Sequence, residues 1–131
     1  FHEAKIASGV PVERVEVWGS GKPLREFLHV DDLASACYFL MKNCDFKDLQ
    51  GMKVSHINLG TGKEISIGEL AELIKKTIGF KGDIEFDAYR PDGTSRKLLD
   101  SDKLFKMGWK YKIKLEAGLK TTYDFYFKHN I

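Results

Sequence analysis

Read for its alternation of apolar and polar positions, the chain divides into short strands and amphipathic helices. In "VERVEVWG", Val15 and Val17 share one face and Glu16 takes the other, the mark of a half-buried strand ending in a turn. "EFLHV", "SHINLG" and "DIEFDA" read as three further strands. "DDLASACYFLMKN" sets apolar groups at Leu33, Cys37, Leu40 and Met41 behind Asp31 and Asp32, two good N-caps, and predicts a helix with one buried face. "SIGELAELIKKTIGF" is the clearest helix. Ser66 and Glu69 have capping-box spacing, Ile67, Leu70, Leu73, Ile74 and Ile78 make the core stripe, and Gly79 ends it. "SDKLFKMGW" predicts a short helix closed by Gly108, and "LEAGLKTTYDFYF" a terminal one. "FHEAKIASG" reads as the last turns of a helix ending at Gly9. It carries no initiator Met, so the expectation is a piece of something longer. The order is mixed α and β, without repeats or low-complexity linkers.

Composition narrows the partners. With 131 residues and 43% hydrophobic content, the chain fits one domain with a real core. Its net charge is only +2, with basic residues interleaved among acids, which argues against nucleic acid as a partner. Its apolar stretches are far short of a membrane span. Cys37 and Cys44 form no C-x-x-C pair and nothing resembles a signal peptide, so a reduced, cytoplasmic protein is expected.

The stretch "VWGSGKPLREFLHVDD" looks at first like a phosphate loop. A dinucleotide fingerprint needs a third small residue and a following helix, so that backbone N–H groups can reach a pyrophosphate. Here the third position is Leu24, Pro23 lacks a donor, and a strand is expected next. The glycines therefore read as turn-formers. The flanking side chains are more informative. Arg25 offers a fork of donors suited to phosphate oxygens, and Trp18 stands at the strand end. Spacing alone favours the plainer reading, in which Arg25 pairs with a surface acid and Trp18 fills the core. In "RPDGTSRKLLD", Arg90, Arg96 and Lys97 surround a Pro-Asp-Gly turn. This is either a solvated loop or an anion-binding rim in which Asp92 accepts from sugar hydroxyls, and the residues leave both open. Tyr38 and Lys42 have Y-x-x-x-K spacing, but with Tyr38 in an apolar stripe and no Gly-rich loop before it the pair reads as a coincidence. Cys37 reads as a core residue. His2, His29, His56 and His129 are scattered without metal-ligand spacing.

Several motifs together carry a resemblance. "REFLHVDDLA", "INLGTG", "SIGELAELI" and "RKLLDSDKLFKMGWKYKIKLEAGLKTTYDFY" resemble the C-terminal half of extended short-chain dehydrogenase/reductases acting on nucleotide sugars. "VWGSGKPLREFLHVDDLA" and "FDAYRPDGTSRKLLD" narrow this to the branch that turns GDP-4-keto-6-deoxy-D-mannose into GDP-L-fucose, with Ser95 where Pro is expected. The resemblance implies an α/β fold, the C-terminal substrate-binding part of an NAD(P)-binding Rossmann-like enzyme, without its Gly-rich half. It implies epimerisation at C3 and C5 and NADPH-dependent reduction at C4 in the intact enzyme. The catalytic residues and the NADP(H) site lie upstream, so this segment alone is expected to hold neither and to be inactive. It implies that Trp18, Arg25, Asp92 and Lys97 face the GDP-sugar. Residues 1–131 would form the GDP-sugar-binding portion, with 25–60 packed on the upstream Rossmann domain, in an enzyme that is a homodimer. The rival readings are another nucleotide-sugar epimerase or dehydratase, and a non-catalytic GDP-sugar-binding or interaction module.

Overall fold

The computed structural model describes residues 1–6 and 12–129. In chain order its elements are α1 (His2–Ile6), β1 (Arg14–Trp18), β2 (Leu24–Glu26), α2 (Val30–Asn43), α3 (Phe46–Gly51), β3 (Glu64–Ser66), α4 (Ile67–Ile78), β4 (Asp83–Asp87), β5 (Arg96–Lys97), α5 (Asp102–Lys106) and α6 (Leu115–His129). The helix end expected at Gly9 lies outside the described residues. The chain forms two units. The first takes in Phe1–Arg25, Ile65–Lys97 and Glu116–Ile131, and the second Glu26–Glu64 and Leu98–Leu115.

In the first unit β1 and β4 pair in parallel, in register from Arg14↔Asp83 to Trp18↔Asp87. β1 alternates as its sequence requires, with Val15 and Val17 half-buried, whereas in β4 Ile84 is half-buried but Phe86 is exposed. β2 lies between β3 and β5, and is parallel to β5 through Leu24↔Arg96 and Arg25↔Lys97. α4 follows its sequence closely. The Ser66 hydroxyl oxygen accepts from the Glu69 N–H at 3.1 Å, and Glu69 Oε2 accepts from the Ser66 N–H at 2.9 Å. Gly79 ends the helix in the left-handed region, at φ 72°. Ala71, Ile78 and Phe80 are buried in this unit.

The second unit is centred on Ala36, Leu104 and Trp109, with Phe39, Leu40, Ile57 and Phe105 among the side chains packed around them. α2 buries a different face from the one expected. Leu33, Cys37, Tyr38 and Met41 are exposed, Met41 to 84%, while Asp32 and Ala36 are buried. The cause is Asp32, only 4% exposed, whose carboxylate accepts from the Lys112 N–H at 3.0 Å and the Ile113 N–H at 2.8 Å. Residues four and seven or eight steps on, Ala36, Phe39 and Leu40, must then share its face. Asp32 is thus no N-cap. That place belongs to His29, whose Nδ1 accepts from the Asp31 N–H at 3.2 Å.

Two strand expectations also change. "EFLHV" ends as a strand at Glu26, and Val30 is already helical. Ser55–Gly60 is irregular, with no ladder along it among the described residues. The short α3 had no apolar stripe to announce it. It rests on a capping box between Asp45 and Asp48.

Asp32→Ala leaves two backbone N–H groups without their acceptor and is expected to cost about 3 kcal/mol of stability. Ser66→Ala, the loss of one cap, is expected to cost about 1 kcal/mol. Urea unfolding compares them, and an equal or smaller loss at Asp32 contradicts its anchoring role. Glu69 is held below the ordinary carboxylate range by the Ser66 hydroxyl and then by the Ser66 N–H. A lowered folded-state pKa contributes stability above the unfolded value, here near 4.5, and loses it as pH falls through the folded value. The stability gap between the native chain and Glu69→Ala should therefore hold from neutral pH to about 4.5 and shrink below it. A gap that widens on acidification contradicts the assignment.

Candidate functional site

β1 and β4 end side by side at Trp18 and Asp87. In open α/β sheets, ligands gather beyond the carboxyl ends of parallel strands. Beyond these ends, two segments run together toward the pairing of Leu24 with Arg96 and Arg25 with Lys97. Polar bonds lace them. The Gly19 N–H donates to the Asp87 carbonyl at 2.9 Å, and the Leu24 N–H to the Ser95 carbonyl at 2.9 Å. The Ser20 N–H and hydroxyl donate to the two Asp92 oxygens at 2.6 and 2.7 Å. Gly19 is required here twice over. Its φ is 88°, and a Cβ on it would lie 2.5 Å from Asp92 Oδ1.

Trp18, Arg25, Asp92 and Lys97 all belong to the first unit. Trp18 does not fill the core. It is 67% exposed, its Nε1–H donates to Glu16 at 3.0 Å, and the Arg90 guanidinium lies 4.8 Å from its ring centroid. Arg90 also pairs with Asp87 at 3.4 Å. Among the described residues Arg25 makes no surface ion pair of the kind spacing favoured. Two of its N–H groups donate at 2.7 Å to the Leu24 and Thr94 carbonyls, which orients the rest of the fork. Lys97 is exposed on β5 opposite Arg25. The Asp92 carboxyl is held below the usual carboxylate range by the Ser20 hydroxyl, then by the Ser20 N–H, with a smaller contribution from the charge of Lys22. An open groove of about 640 Å³, lined by Gly68, Glu69, Glu72, Leu73, Lys76 and Phe86, contains none of the four.

The glycine turn cannot cradle a pyrophosphate as a dinucleotide loop does. The N–H groups of Gly19, Ser20 and Lys22 are engaged by Asp87, Asp92 and the Ser20 hydroxyl oxygen, and Pro23 has none. The other glycine loop already holds an anion. Glu26 Oε1 accepts from the N–H groups of Thr61 at 2.5 Å and Gly62 at 2.6 Å, and Oε2 from Leu99 at 3.2 Å. Neither glycine loop therefore fits the pyrophosphate of a nicotinamide dinucleotide.

The structure brings together residues that spacing did not connect. Ser20 and Asp92 meet across 72 positions, and Arg90 reaches Trp18 by a contact that no local pattern announces. Glu26, passed over in the sequence, organises the Gly60–Thr61–Gly62 loop. Elsewhere, Lys42 lies 5.0 Å from the exposed Tyr38 ring, an ordinary contact of neighbours on one helix face. Cys37 is exposed rather than core. Among the described residues no group of three His, Cys, Asp or Glu side chains could hold a metal, and no helix is long and apolar enough to cross a membrane.

Residues 2–60 match the sequence model of the NAD dependent epimerase/dehydratase family. The chain is 51% identical over 129 residues to GDP-L-fucose synthase 1 of Arabidopsis thaliana, covering 98% of this chain and 37% of that protein. It is 49% identical over 131 residues to GDP-L-fucose synthase of Escherichia coli (strain K12), covering 98% of this chain and 40% of that protein. The structure of GDP-mannoheptose C4 reductase from Campylobacter jejuni with NADP bound is 42% identical and superposes with a TM-score of 0.78, over 93% of this chain and 37% of that one. This chain thus spans well under half the length of these relatives. It is similar to the NAD dependent epimerase/dehydratase family over residues 2–60 and, along nearly its whole length, to the C-terminal portion of GDP-L-fucose synthases.

Proposed function

We propose that this chain is the GDP-sugar-binding portion of an enzyme that epimerises GDP-4-keto-6-deoxy-D-mannose at C3 and C5 and reduces it at C4 with NADPH, giving GDP-L-fucose. The observation that carries this reading is the identity of about half the residues, over nearly the whole chain, with GDP-L-fucose synthases of a plant and a bacterium. The reading places NADP(H) and the chemical steps on an upstream Rossmann half, because the glycine loops here are already engaged. NADPH would supply the hydride for C4. Alone, this segment binds but does not turn over.

The residues of this chain bind and orient. Arg25, steadied by two carbonyls, presents its remaining donors to the diphosphate, and Lys97 adds a second cation on the adjoining strand. Trp18 offers a flat apolar wall beside them. Asp92 completes the site at the neighbouring turn. The 25–60 stretch packs on the upstream half, which would cover the exposed Val30, Leu33, Tyr38 and Met41 side chains of α2. The reading includes a homodimer of the intact enzyme and a cytoplasmic setting, which the unbridged Cys37 and Cys44 suit. A second reading has the same site and a different sugar, since the similar Campylobacter jejuni reductase is named for a GDP-mannoheptose.

The test uses the intact protein with its upstream half. It should oxidise NADPH with GDP-4-keto-6-deoxy-D-mannose and release GDP-L-fucose. Turnover confined to a GDP-heptose substrate would move the assignment to the second reading. Arg25→Ala and Lys97→Ala should each raise KM about ten- to a hundredfold, the scale of a lost charge-assisted hydrogen bond, and change kcat little. GDP should inhibit both variants correspondingly less. Native GDP inhibition in both variants contradicts the site.

A further inference from the structure

We propose that Glu26 is a positioning residue that keeps Arg25 opposite Lys97, by holding both neighbours of β2 with one carboxylate. This rests on the GDP-sugar reading above and adds a residue to it. β2 is the middle strand of its sheet and has three residues, and β5 beside it has two. Ladders this short hold a register weakly on their own. The bonds from Leu24 to Ser95 and from Arg25 to Thr94 secure the pair at its leading end. Glu26 secures it at the other. Its Oε2 accepts from the Leu99 N–H at 3.2 Å, two residues beyond Lys97. Its Oε1 accepts from the Thr61 N–H at 2.5 Å, the Thr61 hydroxyl at 3.2 Å and the Gly62 N–H at 2.6 Å, just ahead of β3. The side chain thus ties segments that the ladder no longer reaches.

The seat of this carboxylate is specific. A Cβ on the buried Gly60 would lie 2.6 Å from Glu26 Oε1 and 2.8 Å from Oε2. Gly60 has no positive φ, so what it leaves bare is room for the carboxylate and not freedom for the backbone. Successive residues of a strand face opposite ways, so Glu26 works from the face away from Arg25 and reaches the ligand only through it. Arg25 is its neighbour in β2, and Lys97 lies two residues before Leu99. A slip of the Glu26 side chain is therefore passed to both cations through the backbone.

The test measures GDP affinity by titration calorimetry, and KM and kcat with GDP-4-keto-6-deoxy-D-mannose, in the intact protein with its upstream half. Glu26→Gln keeps the shape. Its oxygen can serve the donors of Thr61 and Gly62, which sets an amide NH2 against the Leu99 N–H. It should weaken GDP binding about fivefold and raise KM in step, while kcat holds within about twofold. The sign is informative, because removing a negative charge near a diphosphate would by itself tighten binding. Gly60→Ala displaces the carboxylate without changing its charge and should also weaken binding about fivefold. In an Arg25→Ala background Glu26→Gln should cost less than about twofold, because no cation pair remains to be aligned. Asn58→Ala is the control for general loosening. It removes a nearby tie, from the Asn58 side-chain N–H to the Asp100 carbonyl at 3.0 Å. It should lower stability in urea yet leave GDP affinity within about twofold of native. Native or tighter GDP binding by either folded variant, Glu26→Gln or Gly60→Ala, overturns the proposal. So does an undiminished loss in the Arg25→Ala background, or a loss in Asn58→Ala that matches Glu26→Gln. If Arg25→Ala itself binds GDP like the native protein, the site reading fails. If Arg25→Ala loses affinity while Glu26→Gln does not, only the role of Glu26 fails.

Discussion

The lacing of the 18–25 segment to the 87–97 segment is the constraint on which the candidate site depends. Neither segment carries a core of its own. Parallel pairing of β1 and β4 delivers them side by side, and a handful of polar bonds then fixes their side chains. Gly19 permits the close approach, Ser20 and Asp92 close it, and Arg25 secures the far end through Thr94. The same bonds deny the turn a dinucleotide role, since N–H groups aimed at Asp87 and Asp92 are not available to a pyrophosphate. On the proposed reading, a motif that looks like a phosphate loop serves the nucleotide through its flanking side chains.

The second unit solves a related problem with other groups. Asp32 and Glu26 are both carboxylates that accept from backbone N–H groups of distant loops. Each replaces ladder bonds that irregular segments cannot make. In both units, carboxylates tie together chain segments far apart in sequence.

This explains what could be read from the residues and what could not. α4 was legible because its cap, stripe and terminal glycine all lie within one window. β1 and β4 were legible from alternation. The face of α2 was not. Its apolar groups at Leu33, Cys37 and Met41 outweigh a single aspartate in any hydrophobic count, yet Asp32 is what the fold buries. A strand at Ser55–Gly60 was expected from composition, but a ladder needs a neighbour that composition does not supply. Within the site, Arg25 and Lys97 stood out by charge and by resemblance, and the structure sets them on paired strands. Ser20 did not stand out, because a serine between two glycines looks like any turn residue.

The most direct measurement is a crystal structure of the intact protein with GDP bound. The account predicts diphosphate oxygens within hydrogen-bonding distance of Arg25 and Lys97, and the Trp18 ring beside the nucleotide. A diphosphate seated on the backbone of the Gly19–Gly21 turn, or away from both cations, would contradict it.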